Sequence, residues 1–232
     1  MSAHPSVHLN AGLVYLNALS LIENIRPPGP QHHSTLRTNA TASTIFSALA
    51  TETFINEVSY LANGLFRGTE GAWLQTLGDV LEELEDSHAP ITSKYLIAKF
   101  VLSGAPFDKG KSPYQEFALL IRVRNEIAHQ KPFEERVVER SGKAVLQRRP
   151  LLEQIRSLGL LRKPSTANWL EDIATREMAV WATRAASGLI NCMIDAVPKG
   201  EFRNALETFY RNAFNTRLFI HNNAPTDSSI NP

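Results

Sequence analysis

Apolar residues recur along most of this chain at spacings of three and four, the period of helices with one buried face. The stretch "HLNAGLVYLNALSLIENI" (8–25) shows it first and stops at "RPPGP", a strong breaker, so 26–37 reads as a loop. The longest pattern is 41–66, whose Ile45, Phe46, Leu49, Thr53, Phe54, Val58, Leu61 and Leu65 predict one broad face, closed by Gly68 and Gly71. Shorter helices follow at 72–86 and at 92–103, the latter opened by Thr92 or Ser93. Further helical segments are predicted at about 150–159, 168–196 and 201–220.

One helix has sharper limits. Ser112, Pro113 and Gln115 form a capping-box start, and Lys131-Pro132 ends the helix because a residue before proline avoids helical angles. Past it, "EERVVERSGKAVLQRR" sets "SGK" between two Val-containing runs, which suggests a small hairpin or an irregular basic loop near 133–149. The expected architecture is all-α: one antiparallel helical bundle over 1–220, followed by a polar, flexible tail at 221–232. No period repeats, which excludes a solenoid.

Composition narrows the class without changing this picture. Of 232 residues, 43% are hydrophobic and 20% charged, ordinary for a globular chain. The single cysteine, Cys192, excludes an intrachain disulfide framework and fits a reducing compartment. The opening "SAHPSVHLNAG" lacks the basic and apolar regions of a signal peptide, and no apolar run reaches the length of a membrane span. A cytoplasmic location is the expectation. The net charge is only +1, yet Leu120 to Lys163 holds eleven Lys/Arg against five Asp/Glu. A basic segment of that kind favours a phosphate-bearing partner.

The chemistry lies at the end of the capped helix, in "RVRNEIAH" (122–129). Its stripe runs Tyr114, Phe117, Ile121, Arg124, Ala128, and Arg124 interrupts it. An arginine on a buried stripe needs a carboxylate, a second copy or a bound anion, since an unpaired buried guanidinium costs several kcal/mol. Asn125 and His129 are four apart and share a neighbouring face. Arg124 and His129 are five apart, roughly 140° around the helix, a gap that the long arginine side chain can close. A cation, an amide and an imidazole gathered there suit RNA phosphodiester cleavage. His129 could take the proton of a ribose 2′-hydroxyl, Arg124 could stabilise charge on the phosphate, and Asn125 could orient either group. That chemistry needs no metal or other cofactor. A symmetric homodimer would supply both an acid and a base.

"RNEIAH" (124–129) resembles the Arg-x(4–6)-His motif of the HEPN superfamily, in the form with Asn after the Arg. Upstream, "SALATETFINEV" (47–58) resembles the HEPN helix whose acidic and Asn residues pack against the motif helix; here these are Glu52 and Asn56, with Glu57 as the other carboxylate. The resemblance covers about 40–132 and leaves 150–220 as a helical extension. It implies an all-α domain that dimerises with two motifs facing one cleft, and a metal-independent endoribonuclease of a toxin–antitoxin, abortive-infection or other defence system. Arg124, Asn125 and His129 would then be catalytic, Glu52 and Asn56 would orient them, and a cognate antitoxin or other defence partner is implied. Some HEPN-like domains only bind proteins or nucleotides, so a non-catalytic dimeric binding module is the other reading. The subgroup with Tyr two residues after the His is not matched, because Lys131 stands there.

The basic residues Lys131, Arg136, Arg140, Lys143, Arg148 and Arg149 are candidates to flank such a cleft and hold an RNA backbone. His4, His8, His32 and His33 lack Cys, Asp or Glu at ligand spacing, so no metal site is expected. The acidic run "LEELED" (81–86) reads as a solvated face, and Trp169, Trp181, Met178, Ile190 and Met193 read as core. Cys192 reads as a buried thiol. The chain has no P-loop, dinucleotide fingerprint or nucleophile elbow, which sets aside ATPase, dehydrogenase and α/β-hydrolase chemistry.

Overall fold

The computed structural model describes residues 8–25, 33–129, 136–140, 143–147, 150–162 and 168–216, with the backbone alone at 33–34 and in the two strands. Its helices are α1 (Ala11–Glu23), α2 (His33–Asn63), α3 (Ala72–Asp86), α4 (Ile91–Ser103) and α5 (Tyr114–Ala128). After two short strands, β1 (Arg136–Arg140) and β2 (Lys143–Gln147), come α6 (Pro150–Ser157), α7 (Trp169–Ile173) and α8 (Arg176–Ala196). The described chain closes with α9 (Glu201–Leu206), a π-helical turn (Glu207–Arg211) and α10 (Asn212–Asn215). The fold is an all-α bundle carrying one small antiparallel hairpin.

The axis of the bundle is α2, which lies against α1, α3, α5 and α8. It begins at His33, so the segment after the Pro-rich breaker is helical from there rather than from residue 41. Its buried stripe also differs from the apolar one. Leu49 and Leu65 are exposed, whereas Ser43, Thr44, Ser47 and Thr51 are buried among Ala40, Ala48 and Ala50. Each of these hydroxyls has a carbonyl to donate to: Ser43 to Ala18 across the α1 interface at 2.8 Å, and Thr44, Ser47 and Thr51 to α2's own backbone. Satisfied in this way, small polar residues can be buried at little cost and let the neighbouring helices approach closely. The larger Phe54, Ile55, Val58 and Leu61 take over toward the C-terminal half.

One core cluster draws side chains from all ten helices, so the later helices are not an appendage. α8 packs on α2, α5, α4 and α1 with Met178, Trp181, Ile190 and Met193 buried as expected, whereas Trp169 on α7 is only partly buried. It is separate from α7, because Thr175 caps it, its hydroxyl accepting from the Met178 N–H at 3.0 Å. Cys192 is half-buried, and burial pushes its thiol pKa up.

The start of α5 departs from the expected capping box. Pro113 stands at the N-cap, and Ser112 donates its hydroxyl to Glu116 rather than pairing with Gln115. Likewise α4 opens at Pro90 with no side-chain cap from Thr92 or Ser93. In the hairpin, Arg136 pairs with Gln147 and Arg140 with Lys143. By the two-residue period of strands, Arg136, Arg140 and Lys143 occupy positions of one ladder face. Lys131, Arg148, Arg149 and the tail 221–232 lie outside the described residues.

Candidate functional site

Arg124 leaves the core on the last turns of α5. Phe117, Leu120 and Val123 are fully buried, Ile121 nearly so, and then the stripe runs out: Arg124 keeps 22% of its side chain exposed and Ala128 is exposed outright. The arginine has found its counter-charge on α2. Its Nη2 donates to Glu52 Oε2 at 2.7 Å, so the carboxylate meets the need that the broken stripe created. Its Nε is buried with no hydrogen-bond partner among the described residues.

Glu57 has a different task. Its carboxylate accepts from the backbone N–H of Asn10 and, at 3.2 Å, from that of Ala11, and it also receives the Tyr210 hydroxyl at 2.8 Å. The Asn10 side chain provides no cap, so a carboxylate from another helix satisfies the orphan donors at the start of α1.

Asn56 sits one turn beyond Glu52 on α2, exposed, and its Oδ1 accepts from Lys94 Nζ at 3.2 Å. Lys94 is a candidate-site residue that the sequence reading missed. It comes from α4, is only 7% exposed, and forms an ion pair with Glu85 at the end of α3. Burial lowers its pKa, and the charge of Glu52 pulls it part of the way back. The signal was present: Lys94, Ala98 and Leu102 fall at helical spacing within "TSKYLIAKFVL", a lysine on an apolar stripe like the arginine of α5. The acidic run at 81–86 is correspondingly more than a solvated face, since Glu85 holds Lys94 and Glu82 accepts from Asn63 at 2.9 Å.

Glu52 therefore lies between two cations from different helices, Arg124 in direct contact and Lys94 close enough to be felt electrostatically. An open cavity of about 500 Å³ adjoins the pair, bordered by Glu52, Arg124, Asn125 and Arg122, with Tyr114, Ala118 and Ile121 of α5 on one side and Ile91 of α4 on the other. A second depression of about 490 Å³ lies beyond Lys94, between Asn56, Tyr60 and the acidic end of α3.

Asn125 is exposed and borders the first cavity; its backbone carbonyl accepts from the His129 N–H at 2.9 Å. His129 is the C-cap of α5, with φ −121° and ψ 48°, and is exposed. It does not border the cavity, and no described contact joins it to Arg124, so the convergence of the three groups within one chain is limited to their shared helix end. Among the described residues, no group of three or more His, Cys, Asp or Glu stands together as a metal site, and no helix is long and apolar enough to cross a membrane.

No protein-family model matches the chain, and neither a curated protein nor a solved structure matches it significantly. What the site can do is read from its own residues.

Proposed function

We propose that the chain is a HEPN-like, metal-independent endoribonuclease that works as a homodimer in a toxin or other defence system. The observation that carries this reading is the Arg124–Glu52 pair beside an open cavity, with Asn125 on the cavity rim and an exposed His129 at the end of the same helix. A guanidinium fixed by a carboxylate at the border of the cavity holds one geometry, which suits a phosphate that gains charge during reaction. A solvent-facing imidazole can exchange protons with water between turnovers.

In the proposed reaction His129 accepts the proton of a ribose 2′-hydroxyl while the 2′-oxygen attacks phosphorus. The bond from phosphorus to the 5′-oxygen breaks, and the leaving oxygen takes a proton from the protonated His129 of the partner subunit. The products are a 2′,3′-cyclic phosphate and a 5′-hydroxyl. Two copies are invoked because one imidazole cannot serve as base and acid in the same step, and a two-fold interface sets like against like. The basic ladder positions Arg136, Arg140 and Lys143 support binding of an RNA backbone, which should weaken as salt rises.

The test is incubation of the purified chain with mixed RNA in excess chelator, with His129→Ala and Arg124→Ala beside it. Cyclic-phosphate ends from the wild type alone are the expected result. Wild-type protein that binds RNA as a dimer yet leaves it intact would replace the nuclease by a binding module. A monomer at micromolar concentration that still cleaves would sink the paired-histidine scheme.

A further inference from the structure

The cavity beside Arg124 has a composition that phosphate chemistry alone does not require. One stripe of α5 lines it: Tyr114, Ala118, Ile121 and Asn125 fall at i, i+4, i+7 and i+11, so its floor is apolar and its outer end an amide. The opposite wall is the first turn of α4, with Pro90, Ile91 and Thr92. The two walls are tied together, because the Tyr114 hydroxyl donates to the Thr92 carbonyl at 3.3 Å. The volume, about 500 Å³, lies within the range of small-molecule sites, roughly 300–1,000 Å³. At the mouth stand Arg124 and Arg122, with the Glu52 carboxylate bound to Arg124 beside them, so one positive charge remains in excess.

An apolar slot with an amide at one end and cations at its mouth is complementary to a flat ring that has a polar edge and an attached phosphate. Ring faces bury well against aliphatic and aromatic side chains, and an exocyclic amine or carbonyl can meet an amide. The wall from α4 adds to the mouth's positive character, since that thirteen-residue helix starts there with no side-chain cap on its first N–H groups. We infer that this cavity is a nucleobase subsite that holds one base of a single-stranded RNA next to the phosphate bound by Arg124. The inference rests on the nuclease reading for the identity of the phosphate, and it adds that cleavage is base-selective.

The test measures binding by calorimetry, without turnover, for a nucleoside monophosphate set, ribose 5-phosphate, and a 2′-deoxy trinucleotide that cannot be cleaved through a 2′-hydroxyl. At least one monophosphate should bind roughly tenfold or more tightly than ribose 5-phosphate, the fold-change of a stacked base. The trinucleotide should bind more tightly again. Ala118→Trp fills the floor and should bring the monophosphate down to the ribose 5-phosphate level while leaving the latter unchanged; Thr92→Trp, from the other wall, does the same if the first variant folds poorly. Arg124→Ala should weaken all three ligands. Equal binding of monophosphate and ribose 5-phosphate by the wild type, or no binding of either, overturns the subsite. A monophosphate that binds as tightly as the trinucleotide overturns its assignment to an RNA chain. Cleavage is scored separately: base selection in binding with intact RNA removes the nuclease and keeps the slot, whereas RNA cleavage without base preference removes the slot and keeps the nuclease.

Discussion

Arg124 and Glu52, 72 residues apart in sequence, meet through a 2.7 Å bond between the guanidinium Nη2 and a carboxylate oxygen. The pair is neither deep nor free: 22% of the arginine side chain and 42% of the glutamate side chain remain exposed. Fully exposed pairs contribute about 0–1 kcal/mol and breaking a buried one costs about 3–5, so Glu52→Gln should lower stability by about 1–2 kcal/mol. Cleavage should fall far more than that loss of fold explains, because the freed guanidinium can leave its place at the cavity border. Urea melts beside single-turnover cleavage make the comparison, and equal small losses in both would reduce Glu52 to a structural role.

His129 gives the opposite separation. An exposed C-cap residue without a described side-chain partner can be truncated with a stability change of about 0.5 kcal/mol or less. His129→Ala should therefore melt like the wild type and produce no cyclic-phosphate ends. A variant that retains a tenth or more of the wild-type rate would remove the imidazole from the chemistry.

Glu57, the carboxylate beside the candidate site that faces away from it, should behave as a stability residue. It satisfies two backbone donors at the start of α1 and the buried Tyr210 hydroxyl. Glu57→Ala leaves all three without their partner, and a cost of about 2–4 kcal/mol is expected from a lost cap together with an unsatisfied buried hydroxyl. Helical CD against denaturant reads it. Cleavage measured well below the transition should stay near the wild-type level.

Sequence showed the site through its misfits. An arginine where the α5 stripe should stay apolar demanded a carboxylate, and Glu52 supplies it. Lys94 is the same kind of misfit within α4, a lysine on a stripe with Ala98 and Leu102, but it lies in the first turn, where a polar residue is ordinary. The Ser43, Thr44, Ser47 and Thr51 stripe was less legible, since hydroxyls become buried only once carbonyls are in reach, and one of those carbonyls belongs to Ala18 on another helix. Leu49 is exposed on α2, and Leu65 lies beyond the last residue of that helix, Asn63. The boundary at Thr175 needed only local reading, because its hydroxyl cap on Met178 is the standard start of a helix. The position of His129 relative to a second copy is not a property of one chain's sequence pattern at all.

Lys94 should respond to shape and charge separately. Its stem lies in the core while its ammonium meets Glu85 and Asn56, so Lys94→Met keeps the packing and removes the charge, whereas Lys94→Ala removes both. The alanine variant should lose about 2–3 kcal/mol and the methionine variant about 1 or less, because burial disfavours the charge to begin with. If Lys94 also helps to hold Glu52 in its place through charge, both variants should slow cleavage alike despite their different stabilities. Cleavage that tracks stability instead would confine Lys94 to packing.

Alkaline pH should unfold the protein through its tyrosines. Burial raises the pKa of Tyr15, Tyr95, Tyr114 and Tyr210, and at Tyr210 the neighbouring Glu57 charge and hydrogen bond push in the same direction. A phenol whose folded pKa lies above its unfolded value of about 10 contributes stability that is complete below that value. Above it the unfolded chain releases protons that the folded chain still holds, so stability falls as pH rises toward the folded values. Lys94, with its lowered pKa, acts with the opposite sign: its folded form loses the proton first, so stability gains slightly as pH climbs toward the unfolded lysine value. Four phenols outweigh one amine, and the net effect above about pH 10 is loss of stability. Tyrosinate absorbance from these four should then appear in one cooperative step that coincides with the loss of helical CD. Gradual ionisation of all four with the helix signal intact would show that their burial does not hold in solution. Glu57→Ala, by removing the carboxylate that disfavours ionised Tyr210, should let that phenol ionise at lower pH than in the wild type.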